Sequence, residues 1–223
     1  MSKIIPVLTI DGPSGSGKGT IARLLAQHFG WHLLDSGAIY RVLALHVLQN
    51  NYALDDVANI ERLAQQLPVE FKAEAVYLTA KDVTHEIRTE ICSVTASKIA
   101  ALEPVRAALL ARQRGFSKLP GLVADGRDMG TVVFPQAFFK VYLDASAEER
   151  AQRRYLQLKD GGYNVNLADL VVEIQQRDER DKTRAVAPLR PADDALIIDN
   201  SALSITEVFQ LVVTEAEQRL SKI

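Results

Sequence analysis

The chain has 223 residues, 48% of them hydrophobic, which suffices for a sizeable core in one or two domains. Its net charge is −2 and only 6% of residues are aromatic, a balance that disfavours a nucleic-acid or membrane-surface partner. The single cysteine, Cys92, excludes an intramolecular disulfide and reads as a small core filler. The four histidines are scattered. No apolar run approaches the roughly 20 residues of a membrane helix. The N-terminus lacks a basic region followed by an apolar stretch and a cleavage site, so the expected location is the cytoplasm.

The first predicted element is a buried strand within the apolar run Ile4–Ile10. It leads into Gly12-Pro13-Ser14-Gly15-Ser16-Gly17-Lys18-Gly19-Thr20, with an amphipathic helix over 18–29. A strand, a loop of spacing Gly-x4-Gly-Lys and a helix form a phosphate-binding loop. Glycines let backbone N–H groups converge on phosphate oxygens, and the helix N-terminus adds its dipole. Lys18 supplies a mobile cation. The general motif places Ser or Thr after the lysine to hold magnesium; here Gly19 stands there and Thr20 follows. That Gly-Lys-Gly-Thr ending resembles the loop of nucleoside monophosphate kinases.

A second strand at Trp31–Leu34 runs into Asp35-Ser36-Gly37-Ala38-Ile39-Tyr40-Arg41 and a helix over 38–50. Ser36 is expected to cap that helix, and Arg41 offers a planar fork for a second phosphate. Alternation in Val69–Lys72 and Val76–Leu78 predicts short strands of an inserted small sheet. Pro104 suits the first turn of a helix carrying Val105, Leu109 and Leu110.

A third strand, Leu122–Ala124, precedes Asp125-Gly126-Arg127-Asp128. Asp125 sits where magnesium is positioned in phosphate-loop proteins. Asp128 could accept from an exocyclic amine, which cytosine and adenine have and uracil lacks. A fourth strand spans Phe139–Leu143 and a fifth Ala195–Ile198. Each of the five ends at an aspartate: Asp11, Asp35, Asp125, Asp144 and Asp199, with Asp11 and Asp144 expected to be structural. Ligands of an open α/β sheet bind outside the carboxyl ends of its strands. Ser146/Glu149 and Ser204/Glu207 resemble capping boxes. Arg150, Arg153 and Arg154 follow the first of these. The charged stretch around the Gly161-Gly162 turn reads as a lid over about 155–185, in which Arg177, Asp181 and Arg184 share one face of a helix.

Taken together, five segments resemble the bacterial cytidylate kinase family over nearly the whole chain. They are residues 12–20, Leu-Leu-Asp-Ser-Gly-Ala-Ile-Tyr-Arg at 33–41, Glu-Ile-Arg-Thr at 86–89, Ala-Asp-Gly-Arg-Asp-Met-Gly-Thr-Val-Val-Phe-Pro at 124–135, and Arg-Asp-Glu-Arg-Asp-Lys-Thr-Arg-Ala-Val-Ala-Pro-Leu at 177–189. The resemblance implies a P-loop kinase of α/β class with a five-stranded parallel sheet flanked by helices. The core would lie at about 1–37, 105–154 and 186–223, and the monophosphate-binding region with its small sheet at about 38–104. It implies ATP and Mg2+ with CMP or dCMP as acceptor, in a monomer. Residues 12–20 would hold the ATP phosphates. Ser36, Arg41, Arg127 and Arg184 would surround the CMP phosphate, Ser97, Arg106 and Asp128 would read cytosine, and Arg177 and Asp181 would hold the ribose. Lys18, Arg127, Arg153, Arg154 and Arg184 would stabilise the transferring group. Thr20 and Asp125 are candidate magnesium ligands, directly or through water. A kinase for another small acceptor, such as shikimate, and a nucleotide-dependent switch module are the competing readings. The absence of an Asn-Lys-x-Asp element argues against the switch.

Overall fold

A computed structural model describes residues 5–72, 75–162 and 164–222; Ile4, the expected start of the first apolar run, lies outside them. The chain divides into two compact units, Met1–Leu34 with Phe116–Ile223, and Asp35–Gly115.

The first unit is built on a five-stranded sheet of β1 (Val7–Asp11), β2 (His32–Asp35), β6 (Leu122–Gly126), β7 (Phe139–Asp144) and β8 (Leu196–Asp199), whose intervening strands belong to the other unit. Their order is β2-β6-β1-β7-β8. β1 pairs in parallel with β6 and with β7, and β7 with β8. The strands have the five expected positions because each is a short apolar run closed by an acid. β1 and β6 are buried along their whole length, as parallel strands covered on both faces must be.

α1 (Lys18–Phe29) and α8 (Ile205–Leu220) pack together against this sheet. Leu8, Ile10, Val123, Val141 and Leu143 from the strands meet Ile21, Leu25, Val208 and Val212 from the helices in one core. Each such side chain contributes on the order of 1.5–3 kcal/mol by leaving water. α8 opens with the expected capping box between Ser204 and Glu207. At α6 (Ala147–Asp160), the Ser146 hydroxyl accepts from the Glu149 N–H. α6 ends at Gly161, and α7 (Leu167–Thr183) follows and packs on it.

The second unit contains α2 (Ser36–Gln49), α3 (Val57–Gln65), a small antiparallel sheet of β3 (Val69–Lys72), β4 (Ala75–Leu78) and β5 (Lys81–Asp82), and the helices α4 (Glu90–Ile99) and α5 (Glu103–Arg114). α2 begins earlier than expected because Asp35, not Ser36, is the cap: its Oδ1 accepts from the Ala38 N–H at 2.8 Å. Ser36 instead donates to Gln113 Oε1 at 2.8 Å. α5 was expected with the core from residue 105, but it groups with this unit. The reason is its partner: α5 packs on α3, burying Val105, Leu109, Ile60 and Ala64. Cys92 is fully buried in α4, as expected of a core filler, and its thiol donates to the Arg41 carbonyl.

Replacing Ser204 by alanine should lower stability by about 1 kcal/mol in urea unfolding, because the cap bonds are lost. Unchanged stability would contradict the role given to that box.

Candidate active site

The glycine loop sits at the carboxyl end of β1 because only glycine fits at its entrance. A Cβ on Gly12 would come 2.1 Å from the Leu143 carbonyl oxygen of the adjacent strand. Gly17 is the N-cap of α1 in the left-handed region (φ 85°), with no side-chain cap, so that helix end is left for an external acceptor.

Three loop carbonyls are tied to protein donors. Lys18 Nζ donates to the Pro13 carbonyl at 2.9 Å, Arg150 Nη1 to that of Ser14 at 3.0 Å, and Asn200 Nδ2 to that of Ser16 at 2.6 Å. A loop anchored by its carbonyls presents its N–H groups to an anion. The Ser16 hydroxyl is buried without a protein partner. Arg150 is itself held by Asp178 of α7 in a buried ion pair and by the Ala145 carbonyl. Arg153 bonds the carbonyl and side chain of Asn200, so it reaches the loop through that residue. Arg154 follows it on α6, half-buried. Arg150 belongs to the arginine cluster visible in the sequence, but Asp178 and Asn200 were missed. Nothing local marks Asn200, and Asp178 is masked by its charged neighbours.

The five strand-end aspartates divide by task. Asp35 caps α2, Asp144 accepts from the Ala145 N–H and Asp199 from the Ser201 N–H. Asp11 accepts from the N–H groups of Met129 and Gly130. Burial pushes its carboxyl up to about 7 in spite of those donors, with Asp128 and Asp125 adding to the rise. Asp125 reaches the start of α1: its Oδ2 lies 3.1 Å from where a Gly19 Cβ would stand. A Cβ at position 19 would crowd this carboxylate. A carboxylate beside phosphate-binding backbone and the Thr20 position suits a hard divalent cation that takes its remaining ligands from phosphate and water.

β6 lies next to β1 and delivers Arg127 and Asp128. Arg127 Nε donates to Asp181 Oδ2 at 3.0 Å, and Arg184 lies 3.9 Å from Asp128. Burial would raise the Asp181 pKa, but Arg127, Arg177 and Arg184 outweigh it and hold the carboxyl below the usual carboxylate range. The structure thus brings Arg127, Asp128, Arg177, Asp181 and Arg184 into one charge cluster, in which Asp128, Asp181 and Arg184 are buried and Arg127 and Arg177 partly so. Arg184 is placed differently from expectation: it lies just past the end of α7, where the backbone has left helical geometry. Its guanidinium bonds the Ala187 carbonyl.

In the second unit, Arg41 pairs with Asp35 at 3.0 Å, and its Nε is buried without a protein partner. Arg106 caps α4 through the Ala100 carbonyl and lies 6.0 Å from the Tyr40 ring centre. Ser97 is buried on α4. Ser36 is engaged with Gln113, as described.

The cytidylate kinase family model matches residues 8–218. The chain belongs to the cytidylate kinase family. A cytidylate kinase of Aeromonas hydrophila is 57% identical over 227 residues, covering 100% of this chain and 99% of its own. One from Shewanella denitrificans is also 57% identical, with 99% and 100% covered. A solved structure of an uncharacterized protein from Eubacterium ventriosum shares the fold, with a TM-score of 0.50, 11% identity, and 95% and 98% of the two chains covered. The matched span of the cytidylate kinase family runs from β1 into α8.

Asp178→Ala should destabilise the protein by about 3–5 kcal/mol, because it strands the buried Arg150 charge. Thermal or urea unfolding checks this, and a change within error would refute the strut from α7 to the loop.

Proposed function

We propose that this protein transfers the γ-phosphoryl group of ATP to CMP or dCMP, giving ADP and CDP or dCDP. The observation that carries the reading is the placement, at the carboxyl ends of neighbouring strands, of a lysine-bearing glycine loop and an arginine–carboxylate cluster. Relatives that match the whole chain bear the name cytidylate kinase, which supports a cytidine monophosphate acceptor.

Phosphoryl transfer asks the protein for alignment, exclusion of water and positive charge, and little covalent chemistry. Residues 12–20 hold the triphosphate, and Lys18 exchanges the Pro13 carbonyl for a phosphate oxygen. An oxygen of the acceptor phosphate forms the new bond to the γ-phosphorus as the bond to its bridging oxygen breaks. Arg127 and Arg184 serve the acceptor phosphate, Arg177 and Asp181 the ribose, and Asp128 the cytosine amine. From the second unit, Ser36 and Arg41 are assigned to the phosphate, and Ser97 and Arg106 to the base. The unpartnered Nε of Arg41 supports its share of this assignment. Arg153 and Arg154, with Lys18, Arg127 and Arg184, stabilise the transferring group, and the segment 155–185 acts as the lid that excludes water. Asp125 and Thr20 are the residues that would hold Mg2+, directly or through water; bound there, it neutralises charge on the phosphate oxygens. The reading includes a cytoplasmic location, where ATP and nucleoside monophosphates are at hand.

Base choice follows from Asp128. Cytosine offers an amine to the buried carboxylate, whereas uracil sets a carbonyl oxygen against it, which is costly. Initial rates with Mg-ATP should therefore rank CMP and dCMP well above UMP. Equal kcat/KM for UMP would contradict the assignment. Lys18→Ala should nearly abolish turnover while circular dichroism shows an intact fold; normal turnover would refute the loop's role.

A further inference from the structure

We infer that Asp11, on the strand that leads into the phosphate loop, is a positioning residue for the acceptor and not for the donor: its carboxylate fixes the backbone that presents Arg127 and Asp128. This rests on the assignment of those two residues to CMP given above.

Asp11 is the last residue of β1 and is only 4% exposed. Its Oδ1 accepts from the Met129 N–H and its Oδ2 from the Gly130 N–H, each at 2.8 Å. Both bonds go to the segment after β6, neither to the loop. That segment is a short π-helical turn, Met129–Val133, whose far end is closed by bonds from the Val132 and Val133 N–H groups to the Asp128 carbonyl at 2.9 and 3.1 Å. Asp128 thus stands between a turn pinned by Asp11 and a strand paired with β1.

Two glycines let the segment lie this close. A Cβ on Gly130 would meet Thr9 Oγ1 at 2.9 Å and the Lys140 side chain at 3.1 Å, so the turn rests directly on β1 and β7. A Cβ on Gly126 would meet the Met129 side chain at 2.7 Å. Arg127, between these contacts, bonds the Gly126 carbonyl and Asp181, so its direction also depends on how the segment is seated.

The arrangement uses both oxygens of the carboxyl group as acceptors. The Met129 and Gly130 N–H groups are aimed at separate oxygens; asparagine keeps one oxygen and turns an NH2 toward the other N–H. In Asp11→Asn the turn must shift or leave a donor unpaired.

Steady-state kinetics of Asp11→Asn decides the matter. KM for CMP should rise about tenfold and the CMP-to-UMP ratio of kcat/KM should fall, while KM for ATP stays within about twofold. A merely structural role would lower the active fraction, and so the apparent kcat, without splitting the two KM values. An equal or larger rise in KM for ATP, or no change in either KM, overturns the inference. If Asp11→Asn fails to fold, Gly130→Ala displaces the same turn with Asp11 intact and must show the same split; without it the inference falls. Asp128→Asn, measured in parallel, separates the two levels. If it leaves KM for CMP and base preference unchanged, the acceptor assignment itself fails. If it moves both and Asp11→Asn moves neither, only the role of Asp11 fails.

Discussion

The close approach of Gly12 to the Leu143 carbonyl sets where the phosphate loop leaves the sheet, and the remainder of the site is arranged around that exit. No side chain fits there, so β1 can turn sharply beside β7 and release its backbone into the loop. The loop then lies within reach of α6 and of the segment after β8, and Arg150 and Asn200 take its carbonyls. A flexible glycine segment thereby becomes a fixed anion cradle. The order of strands matters equally: β6, not β2, is the neighbour of β1, so Asp125, Arg127 and Asp128 arrive beside the loop although more than a hundred residues of chain separate them.

Charge is handled by mutual compensation. Arg127 pairs with buried Asp181, and Arg150 and Asp178 are buried together. A buried ion pair is a modest source of stability but a strong constraint on geometry, since removing either member is costly. The two pairs differ in what they serve. Arg150–Asp178 ties the helices that follow β7 to the loop, whereas Arg127–Asp181 tensions the residues assigned to the acceptor.

Much of this was legible in the sequence because parallel strands write themselves as short apolar runs, and all five end at an acid. The loop, both flanking helices and the capping box at Ser204 have equally local signals. What was not legible depended on partners far along the chain. Asp35 and Ser36 are both capable caps, and only the extended backbone at Asp35 decides between them. α5 carries a helical pattern but no sign that α3 would bury it. β5, at two residues, is too short for any periodicity. Arg184 shares a helical face by spacing, yet the helix stops at Thr183 and leaves it on extended backbone. Gly19 in place of a hydroxyl residue was visible at once; that it lies against Asp125 required the neighbouring strand.

Calorimetric titration of ATP into the wild type and Gly12→Ala tests most directly whether the loop's seating against Leu143 creates the donor site. The account predicts that the folded variant loses about a hundredfold or more in ATP affinity, because several charge-assisted backbone bonds are misaligned together. ATP affinity equal to that of the wild type would contradict it.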